Sequence, residues 1–382
     1  MFGPAQNRLA LLATLLFAAP AICLAGPAED QYGVAAGHYA RGRWQLAADE
    51  MQRFLTSFPN HPQAVEAKFF LGEALMQLGQ VKPAREQFEA FAAAAGEHRY
   101  APQAKFRRGE CAYLMGDYNV ARQLLTEFHQ QNADNTLNAY ALPYLGDLAL
   151  MNNKGAEAQA FYSKALREHG ETALADQCRF GLARALQLQR RYDDAIRFYE
   201  NLIARRGSAL ADDSLLQLGR LHYEREDYES ALATLGTLLK DHPNSESVPF
   251  GRYWLGVTHL EKNDYGAAIS ALEGAAASVA ADHQLTPAIR FQLGEAFRRA
   301  KRPEEAAAHF QLVIDESPES SWTDDASHGL LRLASDTNQH AAVEKRASDF
   351  LANHPRSPLA FDVRPMLGRS QMKQEKYDVA IQ

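Results

Sequence analysis

The chain has 382 residues, 47 acidic and 40 basic side chains, a formal net charge of −7 and 46% apolar residues. So large an apolar fraction excludes a disordered chain, and the acidic balance leaves neither a basic footprint for nucleic acid nor a polybasic run for a membrane surface. The length exceeds one simple compact core, which implies several domains or a repeat array.

The first 25 residues stand apart. Arg8 is the only formal charge before Glu29, and the apolar run from Leu9 to Ala19 is too short to cross a bilayer. Cys23 and Ala25 sit three residues and one residue before a cut at Gly26. Residues 1–25 are therefore expected to be a secretory signal peptide cleaved near Ala25, with the mature chain in a bacterial periplasm or envelope. A retained membrane anchor is the alternative. Lipoprotein processing at Cys23 meets Ile22 where that peptidase wants a small residue.

From Ala28 onward one phrase recurs: Ala, Lys or Arg, an aromatic, any residue, Leu, Gly, and later a second small residue. The second small residue falls at Ala47, Ala84, Ala121, Ala158, Ala195, Ala231, Ala268, Ala306, Val343 and Ala380, a period of about 37. The first lies twelve positions earlier: Ala35, Gly72, Gly109, Gly146, Ala183, Gly219, Gly256, Gly294, Leu331 and Gly368. Each unit reads as two antiparallel helices, A and B, carrying the first and second small residue. A glycine inside a helix costs about 1 kcal/mol relative to alanine, so its recurrence calls for a packing reason. The expected reason is a tight A–B crossing where small residues meet, for example Ala158 against Gly146.

The breaks agree with this register. Gly42, Gly79, Gly116, Asn153 and Asn263 stand where a left-handed residue ends helix A. Asp117, Asp227 and Asp264 follow as expected N-caps, and Pro303 opens its helix B. Trp44, Tyr118, Tyr192, Tyr228, Tyr265 and Tyr377 begin helix B; Phe88, Tyr162, Tyr199 and Phe310 share a face with the second small residue. In the tenth unit only Ile381 and Gln382 follow Ala380, so the natural chain is expected to run past residue 382.

This pattern resembles the tetratricopeptide repeat family from roughly Ala28 to Gln382. The period exceeds the family's 34, and Lys68, Lys105, Arg179, Arg252, Arg290 and Arg364 replace its early tryptophan. That variant, with phrases such as Phe54-Leu55-x-x-Phe58-Pro59 and Asp241-His242-Pro243-Asn244-Ser245, is similar to the exported envelope members, among them the Tol-Pal cell-division coordinator and BamD-type assembly factors. The resemblance implies an all-α, right-handed superhelical solenoid over residues 26–382, of about nine complete repeats plus a truncated tenth. It also implies a non-catalytic scaffold that takes a protein or peptide on its concave face, with possible outer-membrane or peptidoglycan-linked complexes as partners. Two other readings stay open: the docking or sensor region of a larger exported enzyme, and a structural component of an outer-membrane assembly or cell-division machine.

In the family, helix A lines the concave face, so the aromatic three residues before the helix A glycine is implied to point there. Phe69, Phe106, Phe180, Tyr253 and Phe291, with Tyr113 and Tyr223 two turns farther on, are the candidate ligand-binding residues. They form either an open ladder for a partner or a ladder packing neighbouring A helices. Glu73, Glu110 and Glu295 directly follow the glycine and read as solvated or groove-lining, because a recurring carboxylate is not a unique active site. The adjacent Lys/Arg reads as an exposed charge whose stem covers apolar surface. His61, His242 and His354 each precede a proline at the end of a helix B and suit its dipole. His222 and His259, equivalent in adjacent repeats, lack a third ligand, so no metal and no cofactor are expected. Cys111 and Cys178 lie two repeats apart and read as buried small apolar residues rather than a disulfide.

Overall fold

In a computed structural model, residues 26–170 and 172–380 are described, and every regular element among them is a helix. The expected signal peptide lies outside these residues.

The chain divides into two units between Arg191 and Tyr192. The first holds α1 (Pro27–Ala40), α2 (Trp44–Ser57), α3 (Ala64–Gln77), α4 (Val81–Ala95), α5 (Ala101–Leu114), α6 (Tyr118–Gln131), α7 (Asn138–Met151), α8 (Gly155–His169) and α9 (Ala175–Leu188). The second holds α10 (Tyr192–Ala204), α11 (Ala211–Glu224), α12 (Tyr228–Asp241), α13 (Val248–Glu261), α14 (Tyr265–Ala276), α15 (Thr286–Arg299), α16 (Pro303–Glu316), α17 (Thr323–Asp336), α18 (His340–Asn353), α19 (Ala360–Lys373) and α20 (Tyr377–Ala380). Odd-numbered helices are the A helices and even-numbered ones the B helices. Within each unit a helix packs on the helices before and after it, and successive A helices also touch.

The A-to-B turns share one hydrogen-bond scheme. The residue after the turn donates its N–H five residues back, as in Arg43 to His38, Asp117 to Ala112, Asp264 to His259 and Lys376 to Gln371, which is a Schellman closure. The left-handed residue it needs is Gly42, Gly79, Gly116, Asn153 and Asn263, as expected, but also Arg190, Glu226, Lys301, Asn338 and Glu375. A left-handed backbone costs an ordinary L-residue roughly 1–2 kcal/mol. Two closing hydrogen bonds hold it there, as in Arg190 N–H to the Gln187 carbonyl and Arg191 N–H to that of Leu186. That is why a glycine search finds only some of the turns.

The N-caps divide. Asp227 and Asp264 accept from the N–H groups of Ser230 and Ala267, both at 3.2 Å. The Asp117 side chain makes no cap bond and instead pairs with Arg85 one repeat earlier.

The small residues make room at the A–B crossing for more than each other. The glycine of helix A accommodates the large side chain four residues after the B-helix alanine. A Cβ at Gly72 would meet Phe88 at 2.7 Å, at Gly109 Leu125 at 2.8 Å, at Gly146 Tyr162 at 2.6 Å and at Gly294 Phe310 at 2.5 Å. The B-helix alanines from Ala47 to Ala306 are fully buried, and the atoms nearest each helix A glycine from Gly72 to Gly294 belong to a ring or a leucine head, joined at Gly256 by the Ala268 carbonyl at 3.2 Å. Two rings are clasped on both sides, Tyr162 by Gly146 and Gly181, Phe310 by Gly294 and Gly329. These pairs place the core between A and B helices.

Candidate functional site: the A-helix face

The aromatic ladder splits into buried and half-buried members. Phe69 is stacked on Tyr100 at 4.6 Å and edge-on to Phe88 at 5.9 Å, and Phe106 lies 5.7 Å from Phe128 and 6.4 Å from Tyr140. Neither ring is reachable from solvent, and Tyr253 and Tyr113 are also buried. These four rings are closed in by packing rather than open as a groove wall: Phe69 and Phe106 by rings of their own helix B and of the following repeat, Tyr113 by Tyr118 and by Tyr144 of the next A helix, and Tyr253 by Trp254. Phe180, Tyr223 and Phe291 are half-buried; Tyr223 leans on Trp254 at 5.2 Å and Phe291 on Phe310 and Trp322 at 5.8 and 5.2 Å.

Of the Lys/Arg next to the aromatic, Arg364 is exposed as expected and Arg179 pairs with Asp176 of its own helix, but three others are engaged by helix B. Lys105 pairs with Glu127 at 3.2 Å and Arg290 with Glu316 at 2.6 Å, while Arg252 donates to the Gly274 carbonyl at 3.0 Å. These cations reach the last turn of their own helix B, where free carbonyls and the helix dipole favour positive charge.

The residue after the helix A small residue is the variable one. It is Ala36, Glu73, Glu110, Asp147 and Arg184 in the first unit, and Arg220, Val257, Glu295, Arg332 and Arg369 in the second. Glu73 and Glu110 are buried, not solvated. Arg107 of α5 donates through Nε and Nη2 to both oxygens of Glu73 on α3, at 2.6 and 2.8 Å, and through Nη1 to Glu110 at 2.6 Å. Tyr144 of α7 donates to the other Glu110 oxygen at 3.1 Å. Burial opposes the charge on Arg107, yet the two carboxylates hold its guanidinium well above the ordinary range. A bidentate buried pair of this kind fixes the register of successive A helices more than it adds net stability.

Asp147 of α7 is different. It is partly exposed, accepts from Tyr162 at 2.6 Å and from Tyr113 at 3.5 Å, and has no cation within ion-pair distance among the described residues. Burial raises its pKa, against the Tyr162 hydrogen bond and the charge of Arg184. Arg184 of α9 is exposed. In the second unit Glu295 is buried and paired with Arg298 at 3.0 Å, which also reaches Asp336 at 2.6 Å. Arg220 lies over the Trp254 ring at 5.7 Å.

One feature of this face carries no signal in the repeat phrase. Leu114, Met151 and Leu188, at equivalent positions near the ends of α5, α7 and α9, are 51%, 48% and 41% exposed. Comparing the repeats column by column shows it: the same column reads Glu224, Glu261, Arg299, Asp336 and Lys373 in the second unit.

The remaining candidates have structural places. His222 and His259 lie 3.8 and 3.6 Å from the capping carboxylates of Asp227 and Asp264. His242 and His354 cap α12 and α18, whereas His61 lies in the turn beyond α2, edge-on to Phe54 at 5.6 Å. Cys111 and Cys178 are buried free thiols, each pushed up to about 12 by burial. The arrangement can hold helices in register and present side chains along a face; its buried carboxylates are occupied by hydrogen bonds to Arg107, Arg298 and tyrosines.

The repeated helix pairs with Schellman turns and glycine-seated rings agree with what sequence comparison finds. A profile of the tetratricopeptide repeat-like domain matches residues 25–180, and tetratricopeptide repeat profiles match 178–209, 216–283 and 273–321. The chain belongs to the tetratricopeptide repeat family. Outer membrane protein assembly factor BamD of Pasteurella multocida is 21% identical to it over 204 residues, covering 50% of this chain and 71% of that protein. Among solved structures, a tetratricopeptide repeat protein from Parabacteroides merdae superposes with a TM-score of 0.51 and 14% identity, over 71% of this chain and 98% of its own. The apo form of the quorum sensor NprR from B. thuringiensis gives 0.61 and 10%, over 85% and 97%. At these identities the likeness to solved structures speaks for the solenoid of helix pairs and for nothing finer. A tetratricopeptide repeat chain is a protein-interaction scaffold in class, and this one has the helix-pair architecture throughout the described residues.

Proposed function

We propose that this tetratricopeptide repeat chain is a non-catalytic scaffold of the bacterial envelope that binds a protein or peptide partner on its A-helix face. The observation that carries the reading is the contrast between two columns of the repeat. The B-helix column is alanine from Ala47 to Ala306, then Val343, and each of these is buried, as a core must be. The column after the helix A small residue runs Ala, Glu, Glu, Asp, Arg, Arg, Val, Glu, Arg, Arg, and its members that are not buried, among them Asp147, Arg184, Arg220, Arg332 and Arg369, differ in charge from repeat to repeat. A face whose chemistry varies over a constant frame suits recognition of one partner. The features of residues 1–25 and the likeness to an outer membrane protein assembly factor support an envelope setting, and favour association with outer-membrane complexes.

The face is tested by photocrosslinking in intact envelopes. A photoreactive amino acid at Met151 or Arg184 is expected to capture a partner, and one at Gln123 or Gln311 on the B helices is not. Capture from the B-helix positions alone overturns the reading. The setting is tested by cell fractionation with N-terminal sequencing: a mature chain beginning near Gly26 supports export, and a soluble cytoplasmic protein retaining Met1 refutes it.

A further inference from the structure

Each B helix hands over to the next A helix through a turn in which one column residue is an acceptor twice. Its carbonyl accepts from the N–H three residues on, as at His61 from Ala64 and at Ser245 from Val248. Its side chain accepts from the N–H two residues on. A serine oxygen does this at Ser208, Ser245, Ser320 and Ser357, for the N–H groups of Leu210, Ser247, Trp322 and Leu359 at 2.9–3.4 Å, and the Asn135 amide oxygen does it for Leu137 at 2.9 Å. In three turns the acceptor is a ring nitrogen instead. Nδ1 of His61 accepts from Gln63 at 3.3 Å, that of His98 from Tyr100 at 3.2 Å and that of His283 from Leu285 at 3.1 Å. The same column also donates to the preceding A helix: Ser245 to Asp212, Ser357 to Asp324 at 2.7 Å, and His61 through Nε2 to Glu29 at 3.4 Å. A hydroxyl is donor and acceptor at every pH. An imidazole is both only when neutral, here with Nδ1 bare and the proton on Nε2, and an imidazolium can only donate.

We propose that the turns between α2 and α3, α4 and α5, and α14 and α15 are acid-labile joints, released when His61, His98 and His283 take up a proton at Nδ1, while the serine and asparagine joints stay closed. Histidine as a residue type titrates between about pH 5 and 8, so a bond that needs bare Nδ1 is present at neutral pH and lost in mild acid. A proton on Nδ1 would meet the N–H of Gln63, Tyr100 or Leu285 head-on, and the ring has to leave the turn. Leaving also breaks a ring contact, because His61 is edge-on to Phe54 at 5.6 Å, His98 to Phe91 at 5.4 Å and His283 to Phe250 at 6.0 Å. The charges around the three rings differ. Glu29 of α1 faces His61. Glu97 and Arg99 flank His98, with Arg99 drawn to Glu66 of α3. Asp282 precedes His283, and Arg252 of α13 reaches the Gly274 carbonyl near the end of α14 at 3.0 Å. What the three turns share is the Nδ1 bond, so a response common to all three comes from that bond. In a repeat array each helix pair is held by its neighbours, so a released joint loosens the two pairs it connects and leaves the others as they were.

The test is amide hydrogen exchange of the whole chain at about pH 7.5 and about pH 5.5, either side of the ordinary histidine range. Exchange is read by mass spectrometry on peptides spanning each turn and expressed as protection relative to the unstructured chain, which removes the pH dependence of the exchange chemistry itself. The three histidine turns are expected to lose about three- to tenfold of their protection at the lower pH, the effect of removing one capping bond. The turns at Ser208, Ser245, Ser320 and Ser357 are expected to keep theirs. His61→Ser, His98→Ser and His283→Ser, which install the residue of the other turns, are expected to abolish the loss, each at its own turn only. Circular dichroism at both pH values checks that each variant is folded, and where a serine variant is not, the residue of the α6–α7 turn takes its place as His61→Asn, His98→Asn or His283→Asn. An equal loss at histidine and serine turns overturns the proposal, as does a loss that survives the substitution of its histidine, or protection at the histidine turns that does not change with pH.

Discussion

Substituting alanine for a helical glycine has opposite signs at two classes of position in this chain. Phe310 of α16 is fully buried, and its ring is held between Gly294 of α15 and Gly329 of α17. A Cβ at Gly329 would lie 2.7 Å from two ring carbons, and one at Gly294 2.5 Å from the nearest. Helix backbone bounds the ring on both sides, so it has no direction in which to yield. Alanine gains about 1 kcal/mol of helix propensity, but overpacking a filled core costs about 1–3 kcal/mol. Gly329→Ala is therefore expected to be neutral to about 2 kcal/mol destabilising. Gly236 of α12 is exposed and meets nothing within 4 Å, so Gly236→Ala is expected to stabilise by about 1 kcal/mol. Phe310→Leu removes the ring edge and alone costs on the order of 1–2 kcal/mol. Combined with Gly329→Ala it should be more stable than the sum of the single effects by about 1 kcal/mol or more, because the clash is gone while the propensity gain remains. Urea denaturation gives the energies, and hydrogen exchange should place the change in α15 to α17, since a repeat array transmits damage mainly to its neighbours. If Gly329→Ala stabilises as much as Gly236→Ala, or if the double variant is additive, the account of the recurring glycines is wrong.

Three further outcomes follow from the described contacts. Arg107→Met strands Glu73 and Glu110 in the core and is expected to destabilise the first unit by about 3–5 kcal/mol, with Glu73→Gln and Glu110→Gln restoring much of it in the triple variant; thermal melts read this directly. Asp227→Ala removes a working N-cap and should cost about 0.5–1 kcal/mol, whereas Asp117→Ala loses only a surface pair with Arg85 and should cost less. The Ser230 bonds lower the Asp227 pKa in the folded state, so the cap's contribution is complete above the unfolded value and disappears as pH falls through the lower folded one. Melts of wild type and Asp227→Ala should thus converge in strong acid and separate at neutral pH. Finally, burial pushes the Cys111 and Cys178 thiols up to about 12, so neither should be alkylated appreciably at pH 8 in the native chain, while both react at once in urea. Rapid native labelling of Cys111 would mean that the α5 core opens far more readily than its packing implies.

Much of the architecture was legible from period and punctuation. The 37-residue repeat, the B helices opening on Trp44, Tyr118, Tyr192, Tyr228, Tyr265 and Tyr377, and the left-handed turns at Gly42, Gly79, Gly116, Asn153 and Asn263 are local features, and the structure keeps them in place. The turns at Glu226, Lys301 and Glu375 were not legible, because there the helices on either side impose a backbone that the residue itself disfavours.

The candidate site was less legible for a related reason. Position in a helix fixes which face a residue takes, but not how near the next helix comes. Phe69 and Phe106 occupy the column expected to line a groove, and neighbouring rings close over them, while Glu73 and Glu110, expected in water, are sealed under the Arg107 guanidinium. The sequence by itself determined helix, turn and period, since these are set by the local preferences of a few residues repeated in register. Tertiary structure decided which charges are buried together, which glycine seats which ring, and that Leu114, Met151 and Leu188 stay exposed. Those outcomes depend on distances between residues about 37 positions apart, which only the packing of successive helix pairs brings to a definite value.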